Sequence, residues 1–270
     1  MGHEYITLDD EPRGVRVLTL NRPDRMNSWN AAMRQELRDA VEDTALDPGV
    51  RVLIITGAGE RAFSAGEDVG GMGDLTALGT RGFRAHAWRI HDVFDTIEAM
   101  EIPMIAAVDG VAAGGGVAAG GGFELALSCD FRVAGDNARF VMPEAKVGLI
   151  PGSGGCSRLV TYVGRGRAKE LVMLGGTLRP DVALQLGLVT EVVPAGTALD
   201  AARGMADRLA AMAPLALGMA KLVLNTCADV DGETGRRLER LGQSVLKTTE
   251  DHREGAAAFI EKRTAQWQGR

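Results

Sequence analysis

The chain has 270 residues, 46% of them apolar, and a formal charge of −6. That length and apolar content suit one large globular domain, or one domain with a helical appendage, and the acidic balance gives no electrostatic reason to expect nucleic acid or anionic lipid as the main partner, local basic clusters aside. Thirty-six glycines beside only 4% aromatic residues predict an aliphatic core with close backbone approaches, because this glycine share is roughly twice ordinary usage.

In chain order, the opening "MGHEYITLDD" lacks a basic n-region and an apolar run, and Ile6 stands where a myristoylation signal wants Ser or Thr. Cys129, Cys156 and Cys227 show no CxxC spacing and read as reduced thiols. Both features predict a cytoplasmic protein. "GVRVLTLNRP" (14–23) alternates as a strand does and stops at a proline. "NAAMRQELRDAVEDTAL" (30–46) sets Ala32/Met33, Leu37, Ala40/Val41 and Leu46 near one helical stripe, with Ser28 or Asn30 as cap. "VRVLIITG" (50–57) and "MIAAVDG" (104–110) are continuous apolar runs ending in glycine, the pattern of strands covered on both faces. A helix, "FRAHAWRIHDVFDTIEAM" (83–100), lies between them.

The stretch 102–127 has the hydropathy of a membrane span, yet it holds Pro103, Asp109, Glu124 and seven glycines after Val108. Each glycine costs a helix about 1 kcal/mol, so a buried strand followed by a loop is the better reading. "DFRVAG" (130–135) and "LVTEVVP" (188–194) are further strands, and from Thr197 onward the pattern is helical. The body is therefore α/β, and residues 197–270 form an α-helical region whose apolar stripes need a partner, such as another subunit.

No GxSxG elbow and no Walker lysine occurs, and His86 and His91 are five apart, which misses the i, i+4 spacing of a helical metal pair. All four histidines read as surface or packing residues. "GGGVAA" (114–119) fits G-x-G-x-x-A after a strand, with Asp136 downstream, so a dinucleotide-dependent oxidoreductase is one alternative. Its mid-chain position counts against it. Two further glycine loops, "GAGERAFSAGEDV" (57–69) and "PEAKVGLIPGSGG" (143–155), also follow strand-like runs. Loops of this kind expose backbone N–H groups suited to an oxygen that gains negative charge during reaction. The acids beside them are Glu67, Asp68, Glu124 and Glu144. Two carboxyl groups facing one pocket could hold a water and move protons; any one of them alone reads equally well as a helix cap.

"NRPDRMNS", "GAGERAFSAGEDV", "GGGFELALSCD", "ARFVMPEAKVGLIPGSGGCSRLV" and the ending "EGAAAFIEKRTAQWQGR" occur in the order found in the crotonase family, the enoyl-CoA hydratases and isomerases, which the whole chain resembles. The resemblance implies a crotonase-type spiral of ββα turns over residues 1–196, with a helical region at 197–270 that assembles subunits into a trimer or a dimer of trimers. It implies an enoyl-CoA hydratase acting on an acyl-CoA thioester, with no metal and no cofactor apart from the coenzyme A of the substrate. The N–H groups of Glu67 and Gly121 would form the oxyanion hole. Ala65, Gly66 and Asp68 would line the coenzyme A path, and Lys262 would help bind its phosphates. Glu124 would deprotonate the water that attacks C3, while Glu144 would deliver a proton to C2. Isomerisation and carnitinyl-CoA-type dehydration are alternatives on the same scaffold, and a non-catalytic acyl-CoA- or RNA-binding homologue is one from another class. The resemblance also places the acyl pocket in the stretch 70–100.

Two features depart from the family pattern. Glu67 replaces the usual small residue, and Val-Ala-Ala-Gly-Gly-Gly occurs twice, at 111–116 and 117–122. Spacing selects the second copy, because Glu124 lies three residues beyond Gly121, whereas Ala118 lies three beyond Gly115. One short helical turn from Gly121 thus presents an N–H and an acid together. The first copy is expected to bulge outward as a loop.

Overall fold

The computed structural model describes residues 3–68, 70, 77–110 and 116–270, apart from the side chains of 86–91. The expected bulge at 111–115, the segment 71–76 of the acyl-pocket stretch and the side chains of His86 and His91 lie outside the described residues.

β1 (Ile6–Glu11) and β2 (Val15–Leu20) form an antiparallel hairpin. β1 is absent from the sequence reading because ITLDDE offers two apolar residues and three acids; as an edge strand it can keep those acids in water. α1 (Ala31–Leu46) follows, capped by Asn30, whose side chain accepts from Met33 N at 2.8 Å. β3 (Val52–Gly57), β4 (Ala62–Ser64) and α2 (Gly79–Ala99) make one ββα turn. β5 (Met104–Val108), β6 (Val117–Ala119) and α3 (Gly121–Ser128) make the next. β7 (Phe131–Gly135), β8 (Arg139–Val141), a 3₁₀ turn at Glu144–Val147 and α4 (Gly155–Leu174) make the third.

Within each turn the first strand joins a six-stranded sheet and the second a four-stranded one. β9 (Thr177–Leu178), α5 (Pro180–Gln185) and β10 (Glu191–Val193) complete the two sheets. Their orders are β1-β2-β3-β5-β7-β10 and β4-β6-β8-β9. From β2 to β10 the larger sheet is parallel, as is β4-β6-β8 in the smaller. This is the expected ββα spiral.

Four helices end the chain: α6 (Ala198–Ala210), α7 (Pro214–Cys227), α8 (Gly232–Leu246) and α9 (Glu250–Glu261). The six-stranded sheet is covered on both faces, which explains its continuous apolar strands. Leu18, Leu53, Ile55 and Ala106 pack with residues of α1, α2 and α3. Val17, Ile54, Ile105 and Val133 pack against Ala198, Ala202, Met205 and Ala206 of α6. The apolar stripe of α6 thus finds its partner in the same chain. Farther on, Leu222, Leu224, Leu241, Phe259 and Ile260 remain exposed. Helix ends at Glu261, earlier than the sequence pattern suggests. The last residues fold back, with Trp267 Nε1 donating to Ala211 O at 2.7 Å and Gln268 N to Asp251 Oδ1 at 2.6 Å.

The apolar stretch 102–127 divides into β5, β6 and α3, and among the described residues no single helix is long and apolar enough to cross a membrane.

Candidate active site

The second glycine set forms the junction between β6 and α3. Gly120 has φ 52° and ψ −126°, a combination that a residue with a Cβ adopts only under strain. It lets the chain leave the small sheet and enter the helix at once. Gly121 opens α3 and Glu124 follows within its first turn. The choice of the second copy as the turn leading to Glu124 is therefore what the structure shows.

Glu124 is 3% exposed, and its Oε1 accepts from Ser153 N at 2.7 Å and Gly155 N at 2.9 Å. These groups belong to the start of α4, so that helix's positive end faces the carboxylate. Burial raises the Glu124 pKa, opposed by the Gly155 and Ser153 N–H groups and the nearby Arg158 charge. Glu144 begins the 3₁₀ turn after β8, the strand that pairs with β6. A Cβ on Gly120 would stand 2.9 Å from its Oε1. Glu144 thus packs against the backbone that leads into the helix carrying Glu124. Glu144 Oε2 is wholly buried and has no hydrogen-bond partner among the described residues. Burial and the Glu124 charge raise its pKa against one opposing bond from its own N–H.

The loop 65–68 approaches from the other side. Trp29 N donates to Gly66 O at 2.8 Å and Asp68 N to Trp29 O at 3.0 Å, a parallel bridge that turns the Glu67 N–H away from Trp29. Gly66 has φ +82°, and a Cβ there would lie 2.7 Å from Gly121 N, so the two candidate donor strands touch only because residue 66 is glycine. Neither Glu67 N–H nor Gly121 N–H has an acceptor among the described residues. The Glu67 carboxylate pairs with Arg34 of α1, and Asp68 pairs with Arg22 at 3.4 Å.

Ala65, Gly66, Glu67, Asp68, Gly121, Glu124 and Glu144 are thus gathered in one region. Lys262 is not tied to them: it is the exposed C-cap of α9, with φ 54° and no bond to the other candidates. The dinucleotide reading of 114–119 fails, because Val117–Ala119 form β6 where that fingerprint requires the start of a helix.

Sequence reasoning missed Trp29, Ser153 and Arg158. The Trp29 ring lies beside Gly121 and packs edge-on to Phe94 of α2 at 5.4 Å between centroids. Its only signal was its rarity in an aromatic-poor chain. Among the described residues no group of His, Cys, Asp and Glu side chains is arranged to hold a metal ion.

The spiral brings two acids and two backbone N–H groups with no acceptor among the described residues into one region, a set of groups able to polarise a carbonyl and move protons beside it. The family model described as enoyl-CoA hydratase/isomerase matches residues 10–270, and the chain belongs to that family. It is 39% identical over 265 residues to the crotonyl-CoA hydratase of Syntrophomonas wolfei, covering 98% of each chain. It is 38% identical over 257 residues to the 2,3-dehydroadipyl-CoA hydratase of Escherichia coli, covering 95% of this chain and 96% of that one. The crystal structure of an enoyl-CoA hydratase from Bacillus anthracis superposes with a TM-score of 0.91 at 34% identity, over 99% of this chain and 100% of the other.

Proposed function

We propose that this protein is a hydro-lyase that adds water across the C2=C3 bond of a trans-2-enoyl-CoA thioester. The observation that carries this reading is the pair of acids, Glu144 packed against Gly120 and Glu124 in the first turn of the helix that Gly121 opens, beside two N–H groups with no acceptor among the described residues. Their surroundings separate their roles. Burial raises the pKa of both acids, but at Glu124 the Gly155 and Ser153 N–H groups and the Arg158 charge oppose that rise, whereas Glu144 has an oxygen with no partner among the described residues and a neighbouring negative charge that adds to it, so Glu124 is the acid that ionises more readily. Glu124 is thus the base and Glu144 the acid.

The thioester oxygen sits between the N–H groups of Glu67 and Gly121. Glu124 takes a proton from water as its oxygen bonds to C3, and the C2=C3 π electrons move to form an enolate whose oxygen charge meets the two donors. Glu144 then gives its proton to C2, the enolate collapses to the thioester, and proton exchange resets both acids. Each preorganised donor contributes about 3 kcal/mol to such a step.

Ala65, Gly66 and Asp68 line the coenzyme A path and Lys262 meets its phosphates, so coenzyme A arrives as part of the substrate and no further cofactor is needed. The exposed apolar residues of α7, α8 and α9 pack between subunits in a homotrimer or a dimer of trimers. The unpaired thiols Cys129, Cys156 and Cys227 suit a cytoplasmic setting.

The test is loss of enoyl-thioester absorbance across a series of trans-2-enoyl-CoA chain lengths, with Glu124→Gln and Glu144→Gln alongside. Turnover should fall by about 10²–10⁴-fold in each variant. A parent that binds these thioesters but turns over none of them would overturn the reading.

A further inference from the structure

We infer that Arg158 is a positioning residue for Glu124: its guanidinium clamps the 153–155 turn that holds the Glu124 carboxylate and moors that turn to α2. The inference rests on the reading of Glu124 as the base.

Arg158 lies in the first turn of α4 and is 7% exposed. Its Nη1 donates to Ser153 O at 2.7 Å, while Ser153 N donates to Glu124 Oε1 at 2.7 Å, so one residue separates the guanidinium from the bond that orients the acid. Between Ser153 and Gly155 stands Gly154, with φ +93°, where a Cβ would collide with the guanidinium. The turn therefore lies flat against Arg158. The rest of the fork faces α2: Nη2 donates to Glu98 Oε2 at 2.6 Å and to Asp95 Oδ1 at 2.9 Å, and Nε to Glu98 Oε2 at 3.1 Å. A planar fork that satisfies a carbonyl and two carboxylates together fixes its orientation far better than an ammonium group would.

Few charges face Glu124. Among the described residues, α4 supplies Arg158 and the Cys156 thiol, the 3₁₀ turn supplies Glu144, and α2 supplies Asp95 and Glu98, both already bound to Arg158. β4 and β6 contribute no ionisable side chain. Among the described residues Arg158 is thus the cation whose charge acts on the base, and its field is tempered by two carboxylates on α2.

The two halves of this arrangement predict pH shifts of opposite sign. Arg158→Gln removes a cation that favours ionised Glu124, so the acidic limb of the kcat–pH profile moves up by about half a unit or more, and kcat falls at least about tenfold with KM within about twofold. Arg158→Lys keeps the charge but not the fork, so the limb returns toward that of the parent while kcat stays several-fold low. Asp95→Asn combined with Glu98→Gln alters two solvent-facing side chains and unmasks the guanidinium. There the limb moves down and kcat falls about threefold.

A limb that stays in place in both Arg158→Gln and the double variant overturns the inference. Should Arg158→Gln fail to fold, the double variant decides alone, because its limb either moves down or it does not. Glu124→Gln run beside them separates the two readings. Full turnover in Glu124→Gln defeats the assignment of the base, whereas a dead Glu124→Gln with unmoved limbs defeats only the role of Arg158.

Discussion

Gly120 and Glu144 are packed so tightly that a methyl group on the glycine would lie 2.9 Å from Glu144 Oε1. Gly120→Ala would also force a side chain into φ 52°, ψ −126°, which costs about 1–3 kcal/mol. The acid and the turn cannot both keep their places. Gly120→Ala is expected to fold with a lowered melting temperature and to lose at least about 100-fold in kcat. A folded variant with the parent's kcat would show that the contact has no part in proton delivery.

Glu67 contributes to the proposed oxyanion hole through its backbone, and its side chain is already held by Arg34. Glu67→Ala keeps the N–H, and the main-chain bridge of Trp29 to Gly66 and Asp68 stays intact. Its kcat should therefore remain within about threefold of the parent. Glu67→Pro removes the N–H and, because that group makes no bond to Trp29, spares the bridge; it should lose about 10²–10³-fold in kcat. Equal activity in the two variants would refute a backbone role, and a large loss in Glu67→Ala would move the role to the carboxylate.

Burial and the neighbouring Glu124 raise the Glu144 pKa above its ordinary value of 4.5. The folded chain then holds this proton more tightly than the unfolded chain does, so stability declines as pH rises from 4.5 through the raised value and stays reduced above it. Glu144→Gln is neutral throughout and escapes that decline. Thermal melts should show the variant more stable than the parent by a few degrees at pH 8 and indistinguishable from it near pH 4. A variant less stable than the parent at pH 8 would mean that the ionised carboxylate is favourably held.

The parts of this fold that were legible in the sequence are those with local causes. β3 and β5 are apolar runs of strand length because both faces of their sheet are covered, and α1 declares itself through one stripe and its Asn30 cap. The glycine set that opens α3 was legible because the three-residue step from Gly121 to Glu124 is a property of a single helical turn. β4, β6, β8 and β9 have only two or three residues each, too few for any periodicity, and they exist through pairing between distant segments. Trp29 and Arg158 were invisible for the same reason. Arg158 reaches acids 60 and 63 positions away, and no spacing rule connects them. The helical pattern of residues 197–270 was plain, but whether a stripe meets its own chain depends on the sheet it lands on, as α6 shows.

Lys221 fixes α7 to the body through a buried junction. The side chain is 7% exposed, and its Nζ meets Asp130 Oδ2 at 2.9 Å, Ile97 O at 3.0 Å and Ile102 O at 3.2 Å. Asp130 also accepts Met104 N at 2.7 Å, and burial raises its pKa against the pull of Lys221. Lys221→Met would leave a buried carboxylate unpaired and two carbonyls without a donor, a loss of about 3–5 kcal/mol. For a chain of this length, that lowers the melting midpoint by roughly 10 °C. Adding Asp130→Asn removes the stranded charge while keeping an acceptor for Met104 N, so the double variant should recover at least half of the loss. The two thermal melts read the coupling directly. A Lys221→Met midpoint within about 2 °C of the parent would show that apolar contacts alone hold α7 in place, and a double variant no better than the single would assign the loss to the carbonyls of Ile97 and Ile102 instead of the charge.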